Sequence, residues 1–402
     1  MSPRIASLTV ERFRTLREIT IGGLGQVNLI TGRNNTGKSS LLEALRILVS
    51  SASPEVVRSI LGEREEGLVD AEQPRGSDTM DRLFPLSSLF SGFPLLSARP
   101  GPIAISAEGD PRPMRLTLAV DWFQVQASGD MKPLGLGQRV SGSETLQRSV
   151  WPVLPAFVLT VDGQEHVFPL TYYGVGESGG LVDAMRYAYW FGNMPRTAEA
   201  VGGESIPCVY VGPCSGDQTA KLGVLWDNIA LTDRESDVIA GLQMIDPTIV
   251  AVSMVGGEGL PPQSGERGMR SRRTAIVRAS SLPRPVPLRT FGDGLNRLFA
   301  ILLSLVNAKD GLLLIDEFEN GMHHSVQHDA WRAIFRLASS LNIQVFAASH
   351  SWDAVEAFQR AAAESPREGV LVRLTRKGEH IVPTLYSEDD LRVATRERIE
   401  VR

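Results

Sequence analysis

The sequence "ITGRNNTGKSS" at residues 30–40 constrains the fold more than any other segment. It overlaps the end of the apolar run "VNLI" and leads into "SSLLEALRILVS", where apolar residues recur at helical spacing. A buried strand, a glycine-rich loop and a helix are therefore expected in this order. Gly32, Gly37, Lys38 and Ser39 fit the pattern G-x-x-x-x-G-K-[ST], whose backbone N–H groups cradle a phosphate chain.

This loop predicts a nucleotide site. Lys38 should reach the β- and γ-phosphates, and the Ser39 hydroxyl should bind Mg²⁺. We expect eight residues to bind the nucleotide: Gly32, Asn34, Asn35, Thr36, Gly37, Lys38, Ser39 and Ser40.

Two carboxylates follow a second buried strand in "GLLLIDEFEN". Ligands of α/β folds bind at the carboxyl ends of strands, so we expect Asp316 to hold Mg²⁺ and Glu317 to polarise the attacking water. Acidic residues also end strands without any catalytic role, so this interpretation depends on the phosphate loop. His350 ends the next predicted strand and should contact the γ-phosphate or the water. Lys38, Glu317 and His350 are the predicted catalytic residues.

The order of the predicted elements indicates an α/β fold. Helices and strands alternate through the last third of the chain, which is typical of a mostly parallel sheet. Residues 51–204 differ, because Pro and Gly become frequent and "MRLTLAVDWFQVQA" has the pattern of an antiparallel strand. We therefore predict a core built from residues 1–50 and 205–402, with a helical lobe at about 213–245 and an insertion at 51–204.

Bulk composition bounds the function. No apolar stretch reaches the roughly 20 residues of a membrane-spanning helix, and the N-terminus lacks the apolar core of a signal peptide. We therefore expect a cytoplasmic protein without a membrane partner. Only two cysteines occur among the 402 residues, which suggests a reducing compartment. The net charge of -5 argues against a uniformly basic, nucleic-acid-binding surface.

One basic stretch stands out from this acidic background. Residues 265–290 carry seven Arg and one Glu. Such a stretch either contacts the phosphates of DNA or forms the basic edge of a solvated loop. The candidates for DNA contact are Arg267, Arg270, Arg272 and Arg273.

Four segments together resemble a known family. "GRNNTGKSS", "FGDGLNRLF", "LLLIDEFENGMHHS" and "AASHSW", in this order, resemble the ABC ATPases of the RecF, SMC and OLD (overcoming lysogenisation defect) type, and the stand-alone bacterial AAA-family ATPases near OLD in particular. The resemblance covers residues 1–50 and about 205–386. It implies a P-loop ATPase head with a mostly parallel sheet, an antiparallel β subdomain and a β-rich and helical insertion.

The resemblance also implies site residues that the spacing alone does not give. In such proteins two heads sandwich two ATP molecules, and a signature segment touches the γ-phosphate of the opposite protomer. Its counterparts here are Gly292, Asp293, Gly294, Asn296 and Arg297. Phe291 and Asp293 replace the usual Ser and Gly, which weakens this carry-over. "NGMH" matches the D-loop, and we assign no residue to the Gln that commonly completes the metal shell.

The implied function is an ATPase with Mg²⁺ that forms a homodimer or a higher oligomer on ATP. In this family the ATP cycle switches an activity directed at DNA or at an effector, in DNA repair or antiviral defence. OLD-type proteins commonly carry a TOPRIM nuclease, but the acidic residues of 51–204 form no strand-end cluster. A separate TOPRIM-like effector is therefore expected.

Two other functions were weighed. The altered signature favours a regulatory or scaffold protein that binds ATP with little turnover. A transporter's ATP-binding subunit would carry a Ser-Gly-Gly signature and no large insertion, and both features of this chain oppose it.

Overall fold

The computed structural model describes residues 3–66, 84–127, 133–140, 153–169, 174–175, 181–182, 206–213, 218–256, 273–365 and 369–401. The helices in these ranges are α1 (Lys38–Val49), α2 (Pro54–Glu63), α3 (Phe84–Ser87), α4 (Gln218–Asp227), α5 (Asp233–Gln243), α6 (Asp293–Asn307), α7 (His324–Ser340), α8 (Trp352–Ala362) and α9 (Glu388–Arg396). None of these described helices is long and apolar enough to cross a membrane.

The strands form four sheets, of which two build the body of the protein. The strands are β1 (Ser7–Phe13), β2 (Leu16–Gly22), β3 (Val27–Thr31), β4 (Ile103–Glu108), β5 (Met114–Ala127), β6 (Pro133–Arg139), β7 (Val153–Val161), β8 (Gln164–Pro169), β9 (Gly174–Val175), β10 (Leu181–Val182), β11 (Cys208–Val211), β12 (Ile249–Gly256), β13 (Arg273–Ala279), β14 (Val286–Pro287), β15 (Leu312–Ile315), β16 (Gln344–Ala348), β17 (Gly369–Lys377) and β18 (His380–Tyr386).

A six-stranded sheet lies at the centre, in the order β11-β15-β16-β3-β17-β18. Its first five strands are parallel, and β18 pairs antiparallel with β17. Every residue of β3, β15 and β16 is buried, because both faces of the sheet are covered. This architecture confirms the predicted α/β fold with a mostly parallel sheet.

Alternate side chains of β15 enter two different cores. Leu313 and Ile315 pack with α6, α7 and α8 on one face of the sheet. Leu312 and Leu314 pack with α1 and the antiparallel strands on the other face. Successive side chains of a strand point to opposite faces, so a short apolar run serves both cores. The molecule therefore has the parallel sheet as its middle layer.

The antiparallel sheet follows the order β2-β1-β4-β5-β7-β8, with β6 beside β5. The hairpin β1–β2 forms one end of this sheet. Strands from the predicted insertion continue it, since Val10 of β1 pairs with Ile105 of β4 and both enter one core. The boundaries at residues 50 and 205 stay a prediction, but strands β4 to β8, which lie between them, share a sheet with β1.

The turn after β15 is fixed by aromatic packing. Phe318 is fully buried and stacks on Trp331 of α7, with ring centroids 4.1 Å apart. Phe358 of α8 meets Trp331 edge-on at 5.0 Å. The Phe318 N–H also donates to the Ala348 carbonyl at the end of β16, at 3.0 Å. The turn is therefore held by one helix and by the neighbouring strand.

Arg297 ties α6 to the carboxyl ends of two strands. Its side chain donates to the carbonyls of Gly212 (2.7 Å), Asp316 (2.9 Å) and Glu317 (3.2 Å). The residue is 3% exposed, and this burial lowers the pKa of its guanidinium, although the Asp316 and Glu317 carboxylates act in the opposite direction. Because Gly212 follows β11 and Asp316 follows β15, one side chain joins three elements.

Replacing Arg297 by Ala should therefore lower the free energy of unfolding by about 2–4 kcal/mol, because three carbonyls lose a charged donor in a buried site. Arg289→Ala is the matched control. Arg289 is exposed and pairs with Asp293 at 3.3 Å, so its loss should cost under about 1 kcal/mol. Urea denaturation of the two variants measures both changes, and equal losses would contradict this account of the Arg297 contacts.

Candidate functional site

All the predicted nucleotide residues except Gly32 line one cavity of about 330 Å³. It lies where β15, β16 and β3 end side by side, at the carboxyl edge of the parallel sheet. Residues 34–40, Asp316, Glu317 and His350 all line it. Three segments that are far apart in the sequence therefore meet in one place.

Both glycines of the loop pattern have a steric reason. Gly32 has φ +147°, and a Cβ there would lie 2.6 Å from the Leu374 carbonyl oxygen. Gly37 precedes α1 with φ +85°, and a Cβ would lie 2.8 Å from Leu16 Cδ2. Any side chain would push the loop out of place. The first turn of α1 follows at once, and its N–H groups have no intrahelical partner.

Lys38 is held against its own loop. Its Nζ donates to the carbonyls of Gly32 (2.7 Å) and Arg33 (3.0 Å). Burial lowers the pKa of Lys38, and the carboxylates of Asp316, Glu319 and Glu317 oppose that shift. The lysine is thus placed between the phosphate loop and the turn of residues 316–320 after β15, which we call the acidic turn.

The acidic turn presents Glu317 in a constrained geometry. Glu317 has φ +48°, a left-handed conformation that is costly for a glutamate and often marks a functional site. Asn320 Nδ2 donates to Glu317 Oε2 at 2.8 Å and to the Pro213 carbonyl at 3.0 Å. Asn320, expected only as part of the D-loop, therefore orients the carboxylate of Glu317.

The residues fit Mg²⁺ held jointly with a phosphate chain. Asp316 is 5% exposed, and its Oδ1 accepts the Glu317 N–H at 3.1 Å. Ser39 lines the same cavity, so a hydroxyl and a carboxylate offer hard oxygen donors. Within the described ranges, no group of three or more His, Cys, Asp or Glu is arranged for a metal ion. Mg²⁺ usually takes few protein ligands and completes its shell with phosphates and water.

His350 follows β16 and is bound by Glu319. Glu319 Oε1 lies 3.0 Å from the His350 backbone N–H, which donates to it, and 3.1 Å from the ring Nδ1. The imidazole side chain remains 53% exposed at the cavity. The predicted phosphate sensor therefore lies beside the predicted base.

Sequence reasoning missed Arg64, which also lines the cavity. Arg64 Nε contacts Glu43 Oε1 on α1 at 2.6 Å, and Arg14 Nε contacts Glu43 Oε2 at 2.6 Å. Burial raises the pKa of Glu43, while Arg14 and Arg64 lower it. Arg14 is also buried in this ion-pair cluster. The acidic run "GEREE" was the only sequence signal for Arg64.

The signature segment lies elsewhere in the protomer. Gly292 and Asp293 are exposed at the start of α6, and Gly294 and Asn296 are half-buried. No observation tests the expected contact of Arg297 with the opposite protomer's phosphate, which stays a prediction. In this structure the Arg297 guanidinium is buried on carbonyls of its own chain, one helical turn after the exposed Asp293.

The predicted DNA contacts divide in the same way. Arg273 Nη1 pairs with Asp227 at 2.6 Å, and the guanidinium also donates to the Gly223 and Met254 carbonyls. These contacts hold it between α4 and β12, and its contact with DNA is not tested and stays a prediction. Arg267, Arg270 and Arg272 lie outside the described residues, so their role stays a prediction.

Two family models match the segments that build this site. The model described as "AAA ATPase domain" matches residues 4–79, which include the phosphate loop. The model described as "AAA domain, putative AbiEii toxin, Type IV TA system" matches residues 266–355, which include α6, the acidic turn and His350.

Individual relatives were also found. An ATP/GTP phosphatase of Helicobacter pylori is 21% identical and covers 96% of both chains. An uncharacterized protein of Methanocaldococcus jannaschii is 45% identical over 47 residues, which are 12% of this chain and 22% of that protein.

Solved structures give low scores. The SMC head bound to the C-winged helix domain of ScpA matches with a TM-score of 0.44 and 10% identity, covering 96% of this chain and 98% of its own. Each family model covers less than half of the chain. The phosphate loop lies in a segment that is similar to AAA ATPase domains, and the acidic turn and His350 lie in a segment that is similar to a second AAA-domain family.

Proposed function

We propose that this chain binds ATP with Mg²⁺ in the cavity beside the phosphate loop and hydrolyses it with Glu317 as the base. The observation that carries this proposal is the geometry of the acidic turn. The Glu317 carboxylate is held by Asn320 and lines the same cavity as Lys38. A base must lie within reach of the water, and Lys38 is placed to neutralise the phosphates.

The roles divide by the step that they affect. Lys38 supplies positive charge to bound phosphates, and Ser39 and Asp316 would hold the Mg²⁺, which neutralises charge developing on the γ-phosphate. Glu317 takes a proton from the attacking water, and His350 contacts the γ-phosphate or that water. The name of the Helicobacter pylori relative, ATP/GTP phosphatase, supports a hydrolytic role.

The division of roles predicts two different losses. Lys38→Ala should abolish nucleotide binding, because the ground-state charge is lost. Glu317→Gln should keep binding and lower kcat by at least about 100-fold, because only proton transfer from water is lost. Fluorescent-nucleotide titration and phosphate release separate the two effects.

Lys309→Ala and Glu356→Gln serve as controls at exposed positions outside the cavity, and both should behave as wild type. Undiminished turnover in Glu317→Gln would contradict its assignment as the base.

We further propose that ATP joins two chains through the signature segment. Gly292 and Asp293 are exposed at the start of α6, and a Cβ on Gly294 would lie 3.4 Å from the Gly321 carbonyl of the D-loop region. A helix start that exposes N–H groups suits a phosphate held by an opposite protomer. Gly292, Asp293, Gly294 and Asn296 are candidates that need no rearrangement, whereas Arg297 would have to leave the carbonyls of its own chain.

A homodimer of this kind should depend on ATP. The Glu317→Gln variant should double its mass in light scattering when ATP is added, because each γ-phosphate is then shared and binding stabilises the association. The double variant Lys38→Ala/Glu317→Gln should stay monomeric. A Glu317→Gln protein that is monomeric at saturating ATP would contradict the proposed sandwich.

The setting is proposed from the family resemblance. The ATP cycle would switch a DNA-directed or effector-directed activity in DNA repair or antiviral defence, and one matched family is described as a putative toxin of a toxin–antitoxin system. The DNA-contact candidates are Arg267, Arg270, Arg272 and Arg273. The alternative is an ATP-bound scaffold with little turnover, which the altered signature favours.

The effector should be a separate TOPRIM-like protein. Nuclease sites of that type need clustered carboxylates, and no such cluster occurs within the described residues outside the ATP cavity. The purified chain should therefore leave DNA intact with Mg²⁺ or Mn²⁺ in a gel assay. Metal-dependent cleavage that survives Lys38→Ala would show that the nuclease is within this chain.

A further inference from the structure

Glu319 and His350 form a contact that the proposed mechanism does not use. Glu319 Oε1 accepts the His350 backbone N–H at 3.0 Å and lies 3.1 Å from the ring Nδ1. The glutamate side chain is 12% exposed, whereas that of the histidine is 53% exposed. A mostly buried carboxylate therefore grips both the backbone and the ring of an exposed histidine.

The position of Glu319 is fixed by its neighbours. Phe318 is locked by Trp331 and by the Ala348 carbonyl, and Asn320 is bonded to Pro213 and Glu317. The Glu319 carbonyl in addition accepts the Met322 N–H at 2.9 Å. The backbone that carries the Glu319 carboxylate is therefore held on both sides. A residue that orients another side chain needs such a fixed backbone.

The hydrogen bonding of the pair determines which nitrogen of the His350 ring carries hydrogen. An ionised carboxylate only accepts hydrogen bonds, so the nitrogen that faces it, Nδ1, carries a hydrogen. This leaves Nε2 as the ring nitrogen that can meet a ligand in the cavity. A carboxylate behind a histidine commonly fixes both its tautomer and its ring orientation.

We propose that Glu319 is a positioning residue for His350. It holds the imidazole so that Nε2 accepts a hydrogen bond from the attacking water, or donates one to the γ-phosphate when both ring nitrogens carry hydrogen. This inference rests on the proposed ATP hydrolysis. The same turn carries Glu317, so one segment determines the positions of both the base and the histidine. A change in that turn would move both groups together.

The plain alternative is an ion pair without a role in turnover. His328 Nε2 and Glu364 Oε1 form such a pair at 3.2 Å, and neither residue lines the cavity. Glu364→Ala is therefore the matched control, since it removes a carboxylate from a histidine away from the site.

Kinetics distinguish the two roles. Glu319→Ala should lower kcat by about 10- to 100-fold while the ATP dissociation constant stays within about twofold. Glu319→Gln keeps an acceptor oxygen and should recover part of the loss, and Glu364→Ala should match wild type. In a His350→Ala background, Glu319→Ala should add little further loss, because the residues act as one unit. A full additional loss there, or wild-type kcat in Glu319→Ala, would overturn the proposal.

A second readout needs no turnover. Nitrogen-15 NMR of labelled histidines, with His350 assigned through His350→Gln, should show hydrogen on Nδ1 in the wild type and a mixture of tautomers in Glu319→Ala. A ring with a bare Nδ1 in the wild type would overturn the proposal. A wild type without ATPase activity counts against the proposed function instead, so the two failures are distinguishable.

Discussion

The packing of Phe318 against Trp331 fixes the position of the acidic turn, on which the rest of the site depends. Phe318 is the middle residue of the acidic turn, and its burial between α7 and β16 leaves the neighbouring carboxylates no freedom to leave the cavity. The left-handed conformation of Glu317 is strained, and such strain persists only where the surroundings over-determine it. The buried aromatic ring provides that constraint, and Arg297 reinforces it from α6. Core packing is thus the source of the site's geometry.

The parts of the site that the sequence predicts are those with local signals. The phosphate loop has a fixed spacing of its two glycines, Lys38 and Ser39. This spacing determines the conformation of the loop without help from distant residues. Asp316, Glu317 and His350 each end a buried strand, and parallel strands end at one edge of a sheet. The spacing of apolar residues also predicted the central βαβ order. These inferences need no knowledge of which helix packs on which face.

The rest depends on tertiary contacts that spacing does not encode. Arg64 lines the cavity and pairs with Glu43 of α1, a contact that the spacing of residues does not reveal. Arg297 has the same sequence context as the signature residues, but its guanidinium is buried on the carbonyls of Gly212, Asp316 and Glu317. Arg273 lies in a basic stretch, yet Asp227, distant in sequence, pairs with it. The sequence predicts the strands of residues 103–169 as part of an insertion, although they join β1 in one sheet through β4.

The cavity is proposed to hydrolyse ATP rather than only to bind it. The most direct measurement is phosphate release by the purified wild-type chain over many turnovers, in Mg²⁺ and in excess EDTA. We expect steady phosphate release in Mg²⁺ and none in EDTA. The expected rate is on the order of 0.01 to 10 turnovers per second, which is the range from slow to median enzymes. Tight ATP binding with no release beyond one equivalent per site would contradict it and would favour the scaffold.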